Sequence, residues 1–174
     1  MRLLCIPALL GAALAQTPFS GPQPGESIPG LPVLMVNTGD AGREIDFVAK
    51  HGNAPLLIVF LHQLDRNVAA LMNPTERFAQ DRAAAGLRTI WVYLAPDKVE
   101  GERRMQAVAK SLRLQSAVGV AVDGAEGPGA YGLNKQVAVT AIVGRQGASV
   151  SSMGPTAIGS RPAMVAPSHR SGGD

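Results

Sequence analysis

The chain of 174 residues holds a single cysteine, Cys5. One thiol excludes an intramolecular disulfide framework and a cysteine-rich zinc site. Aromatic residues make up only 4% of the sequence, so any core has to be built from Val, Leu, Ile and Ala. Lysine and arginine form no run, and 16 basic residues against 13 acidic leave a formal charge of only +3. Dedicated nucleic-acid binders gather basic residues on one face and interleave aromatics. This chain does neither, and no nucleic-acid partner is expected. A Gly-Lys-Ser/Thr phosphate loop and a serine nucleophile elbow are also absent. His51 and His169 fall in a loop and a tail, which gives a Ser/His/Asp triad no support.

What is present begins with an address. Arg2, an apolar stretch from Leu3 to Leu14, and Ala13-Leu14-Ala15 as a small-x-small cleavage site make residues 1–15 read as a secretory signal. The stretch is too short for a membrane-spanning helix and is followed by Pro18 and further Pro and Gly. Cys5 lies too near the start, and in the wrong context, for lipid attachment. Cleavage after Ala15 would remove it, leaving a mature chain without a thiol and without stable membrane insertion. The expected location is exported, periplasmic or extracellular. Residues 16–30 are rich in Pro and Gly and read as an extended linker. Residues 153–174 repeat that composition and read as a tail unable to bury enough apolar surface to order itself. The folded domain is expected over residues 31–152.

Within it, residues 31–38 and 43–47 have strand character around the turn Gly39-Asp40-Ala41-Gly42. Leu56–Leu61 runs apolar without alternation, as a strand buried on both faces does. Asp65 is an N-cap type, opening a helix to about Ala85 with Val68, Leu71, Met72 and Phe78 on its inner face and a kink at Pro74. A strand over 87–95 follows, with Trp91 and Tyr93 on the sheet. Then come an amphipathic helix over 100–114, with Met105, Val108, Ala109 and Leu112 inward, and a strand over 118–122. A glycine-rich connection leads to a hairpin of 137–143 with 148–152. The element order predicts an α/β fold with right-handed crossovers and an antiparallel edge.

The chain at this point resembles the thioredoxin-like superfamily, in its redoxin branch. The likeness rests on the hairpin Gly39–Phe47, on Leu56–Leu61 before a helix, and on Ala130-Tyr131-Gly132-Leu133 and Thr140-Ala141-Ile142-Val143 in the second half. It implies a central mixed sheet with flanking helices and a C-terminal β-hairpin, with the final helix missing. It also implies a cysteine at the start of the helix after the central strand, where helix dipole and free N–H groups lower a thiol pKa. Counting from Pro74 places the two family cysteines near Arg66 and Ala69; counting from the strand gives Asp65 and Val68. None is sulfur. The family's cis-proline position holds Val139, ahead of Thr140. With no closing helix, one sheet face is expected to be thinly covered, which suggests a partner lying there.

His62, Asp65, Asp123 and Glu126 fall at the carboxyl ends of parallel strands, where open α/β sheets place ligands. Their spacing matches no metal set, so Asp65 is read as a helix cap, His62 as a strand-end residue and Asp123 and Glu126 as turn acids in preference to a pocket or metal site; glycines 124–132 read as a turn. The expectation is an exported, non-catalytic thioredoxin-like domain serving as a binding or scaffold protein, without cofactor or metal. It would hold an extracytoplasmic protein or peptide near His62, Asp65, Arg66, Asn67, Val139 and Thr140. A divergent thiol-disulfide oxidoreductase or peroxidase is the alternative, and a metal-binding protein using His62 a further one.

Overall fold

The computed structural model describes residues 19–146 and 151–153. The signal segment 1–15 and the tail from 154 onward lie outside the described residues. In chain order the elements are β1 (Pro32–Met35), β2 (Glu44–Asp46), α1 (Phe47–His51), β3 (Leu56–Leu61), α2 (Arg66–Ala83) and β4 (Arg88–Tyr93). They continue with α3 (Lys98–Leu112), β5 (Ala117–Ala121), two 3-10 turns, β6 (Val139–Gly144) and β7 (Ser151–Met153). One sheet joins them in the order β2-β1-β5-β4-β3-β6-β7. β3, β4 and β5 are mutually parallel, and β6 lies antiparallel to β3.

All six residues of β3 are buried because the strand is paired on both edges and covered on both faces. Alternation divides the core. Leu57, Val59, Leu61, Trp91, Tyr93, Val118 and Val120 face α2 and α3, while Leu56, Ile58, Phe60, Ile90 and Val92 face the opposite way. α3 comes very close to the sheet at Gly101, where a Cβ would stand 2.5 Å from Ala95 Cβ and 3.1 Å from Val120 Cγ1.

Three expectations are corrected. Residues 20–30 are no free tether: Ser20 and Ile28 are buried, and Ile28 and Leu31 belong to the core cluster opposite α2. Proline and glycine make this arm extended without preventing its apolar side chains from packing. Phe47 does not extend β2, because Asp46 caps α1, its carboxylate accepting from Ala49 N at 2.9 Å and Leu31 N at 3.0 Å. The inner face of α2 is Val68, Met72, Glu76 and Ala79, whereas Leu71 and Phe78 are 47% and 48% exposed. At 100° per residue those two lie about a quarter turn or more from the buried stripe. Phe78 instead carries the Arg82 guanidinium 5.3 Å above its ring. Pro74 sits inside an unbroken α2.

Coverage of the two faces differs. The arm, α1 and Tyr131 close the face of Ile58 and Phe60. On the α2 side of β6, Val139 and Ala141 are half-buried and Val143 is 44% exposed. The expected thin cover is therefore found, among the described residues, only along this strand.

Candidate functional site

β3 delivers His62 to the carboxyl end of the sheet, and its backbone N–H donates to Ala138 O at 2.9 Å, extending the pairing with β6. The imidazole is half-buried, and Nε2 is sequestered with no hydrogen-bond partner among the described residues. Burial holds the His62 pKa below its ordinary 6.5, with the Glu126 carboxylate pulling the other way. His62 is thus neutral at pH 7, with one ring nitrogen to donate and one to accept. Glu126 pairs with Lys135.

Asp65 ends the loop after His62. Its Oδ1 accepts the Val68 N–H at 2.8 Å, so the carboxylate lies in the anion-favouring position at the start of α2. The resemblance read from the sequence implies a cysteine near this helix start, and the capping residue is Asp65. Here the helix start is stabilised by a group that is no nucleophile at sulfur. Arg66 and Asn67 stand exposed on the first turn. The loop is held from α3: Arg104 Nη2 donates to Leu64 O at 2.9 Å, and the same guanidinium lies 5.9 Å from the Tyr93 ring centre. Arg104 reads from the sequence only as an outward residue of an amphipathic helix, because its reach to Leu64 depends on how α3 packs.

Val139 and Thr140 do not act together. Val139 pairs opposite Leu61 and packs on the α2 side. Thr140 pairs opposite Phe60, is fully buried, and shares a 2.6 Å hydroxyl bond with Ser20. Ser20 Oγ also accepts from Asn134 N at 3.0 Å. Thr140 therefore leaves the candidate site: it is fully buried and its hydroxyl is taken by Ser20 of the N-terminal arm, which seals it. Ser20 escaped notice because it lies in the Pro/Gly-rich stretch.

His62, Asp65, Arg66, Asn67 and Val139 remain gathered at one end of β3. Among the described residues no group of three His, Cys, Asp or Glu side chains is placed to hold a metal ion, so His62, Asp65, Asp123 and Glu126 do not form such a set. Asp123 precedes and Glu126 ends a 3-10 turn over Gly124–Glu126, in agreement with their reading as turn acids.

No family model and no curated protein matches the sequence. Solved structures do. A conserved protein of unassigned role from Geobacillus kaustophilus superposes with a TM-score of 0.62 at 17% identity, over 89% of this chain and 77% of that one. A Chlorobium tepidum structure, named a thiol:disulfide interchange protein DsbE, gives 0.58 at 11% identity, over 75% and 84%. Peroxiredoxin Q of Xanthomonas campestris gives 0.55 at 12% identity, over 74% and 82%. The fold is thioredoxin-like.

Proposed function

We propose that this thioredoxin-like chain is an exported domain that works by holding an extracytoplasmic protein or peptide, not by thiol chemistry. The observation that carries the reading is the start of α2. Asp65 caps Val68 there, and the chain's one cysteine, Cys5, falls within residues 1–15, which we read as a secretory signal. A thiolate nucleophile needs sulfur at that helix end, and none of residues 62–69 supplies it. The binding surface is the loop and first turn bearing His62, Arg66 and Asn67, continued onto Val139 and the exposed Val143. Neutral His62, the Arg66 cation and the Asn67 amide offer polar contacts beside an incompletely covered apolar strand, the mixture expected of a peptide groove.

The alternative, a thiol-disulfide oxidoreductase or peroxidase, draws on the named activities of the structural neighbours. Two measurements separate the readings. The mature chain beginning at Gln16 is expected to show no peroxide or disulfide turnover above buffer, and any such turnover rejects the non-catalytic reading. A photo-crosslinker at Asn67 is expected to capture a partner from an extracytoplasmic fraction, and the doubly substituted Arg66→Glu, Val143→Glu chain to lose that partner. Undiminished capture rejects the site. Mass spectrometry of the exported chain is expected to find residues 1–15 removed; a retained Cys5 reopens the thiol reading.

A further inference from the structure

An apolar step runs along the flank of α2 that looks toward β6. Glu76 accepts from Ser116 N at 2.8 Å and Gln80 donates to Ser116 Oγ at 3.3 Å, so their flank of α2 faces β5. At about 100° per residue, Leu71 and Phe78 lie about 140–180° round the helix from both. Given the strand order β5-β4-β3-β6, they look away from β5 and toward β6. The two share one line of the helix, about 10 Å apart along its axis.

Beside this wall lies a floor. Val139, Ala141 and Val143 of β6 stand on the α2 side of the sheet, the first two half-buried and the third exposed. Leu71, Phe78 and Val143 are three of the five large apolar side chains exposed among the described residues, so that exposure is gathered here more than scattered. Charge is confined to the end far from His62. Arg82 follows Phe78 by one helical turn, and Arg145 follows the last residue of β6. Both are exposed, and neither has an ion-pair partner among the described residues. β6 contains no carboxylate, and on α2 Asp81 lies about 100° round the helix from Arg82, toward solvent.

We infer that this step seats an amphipathic helix of the partner, packed alongside α2 with its apolar stripe on Leu71, Phe78 and Val143 and its carboxylates at the end that meets Arg82 and Arg145. Height favours a helix. α2 raises a wall about 10 Å tall, one helix diameter, beside the incompletely covered strand, and an extended segment laid on β6 is too thin to cover Leu71 and Phe78 as well. Charge favours acidic residues, because the two arginines leave that end positive with no carboxylate of their own flank to answer them. Through Val139 the step is continuous with the surface at His62. The inference rests on the partner-holding reading above and adds the chemical class of the partner.

A labelled peptide of about 18 residues, about 27 Å long as a helix, tests this against the chain from Gln16. It carries leucines at i, i+3, i+4 and i+7 spacing and glutamates in its first turn. Fluorescence anisotropy is expected to show saturable binding at roughly tens of micromolar. Lysines in place of the glutamates should weaken it roughly tenfold, and a scrambled order that destroys the stripe should abolish it. Leu71→Glu and Phe78→Glu change exposed side chains, so both variants should keep the parent's circular dichroism while binding weakens by roughly tenfold or more. Arg82→Glu should reverse the preference in favour of the lysine peptide, an exchange that misfolding does not produce. Absence of saturable binding overturns the inference, as does equal binding of the scrambled peptide or unchanged affinity in all three variants. A photo-crosslinker at Leu71 reports other occupants: attachment to residues 154–174 of the same chain, or to a second copy, in place of the peptide overturns it too. Capture at Asn67 without peptide binding refutes the helix alone, whereas loss of both refutes the partner-holding reading with it.

Discussion

Glu76 is the residue whose substitution tests the packing argument most sharply. It lies on the buried stripe of α2 at 7% exposure, an unusual place for a carboxylate. Oε1 accepts from Gln115 N and Ser116 N, each at 2.8 Å, and from Gln80 Nε2 at 2.9 Å. Oε2 accepts from the indole of Trp91 at 3.0 Å. Burial alone would push this carboxyl up, but the bonds from Trp91, Ser116 and Gln115 outweigh it and hold the pKa below its ordinary 4.5. Glu76→Ala would strand the buried indole and Ser116 donors and open a void. At about 1–3 kcal/mol per unsatisfied buried donor, a loss of about 3–5 kcal/mol is expected. Glu76→Gln keeps an acceptor toward Gln115 and Ser116 but turns its amide N–H against the indole N–H. The loss of charge-assisted bonding and that donor–donor clash together predict about 2–3 kcal/mol.

Urea unfolding followed by far-UV circular dichroism and by fluorescence of Trp91, the chain's one tryptophan, measures both values. The pH dependence supplies a second handle. A carboxyl whose folded pKa is depressed contributes stability that is complete above the unfolded pKa, about 4.5 here, and is lost as pH falls through the folded value. The stability gap between the parent and Glu76→Gln should therefore be constant near pH 7 and shrink below pH 4.5. A gap of less than about 1 kcal/mol at pH 7, no larger than one ordinary hydrogen bond, would refute the reasoning. A gap that stays unchanged into acid would refute it as well.

Gly101→Ala should destabilise the protein by about 1–3 kcal/mol despite alanine's better helix propensity, because the new methyl meets Ala95 and Val120; thermal unfolding reads this, and a neutral or stabilising result denies the close approach. Ser20→Ala removes the partner of the buried Thr140 hydroxyl and of Asn134 N–H, with an expected loss of about 1–3 kcal/mol and faster proteolysis within residues 20–30. The His62 ring should titrate by NMR with a midpoint below 6.5. Because its folded pKa is lowered, the stability it contributes is present above 6.5 and lost as pH falls through the folded value, and a midpoint above 6.5 contradicts the burial argument.

Much of this architecture is legible in the residues. Leu56–Leu61 announces a central strand because a segment buried on both faces has no polar side to display. Asp65 announces a helix start because its carboxylate reaches an unpaired N–H three residues on. The lack of a cysteine in residues 62–69 is likewise visible by inspection. The candidate site was legible in part: residues 62–67 follow from chain continuity, and Val139 from the hairpin. Thr140 did not follow, since its burial depends on Ser20, 120 residues away in sequence.

The residues alone determined the element order, the strand alternation and the absence of sulfur from residues 62–69, since each depends on local periodicity or on which atoms the side chains contain. Tertiary structure decided the rest. It folded a proline-rich arm into the core, chose Glu76 over Leu71 for the interior of α2, and left Val143 uncovered. Those outcomes depend on which distant surfaces meet. A buried carboxylate is tolerated only with the partners that packing brings within hydrogen-bond reach, and sequence spacing does not record them.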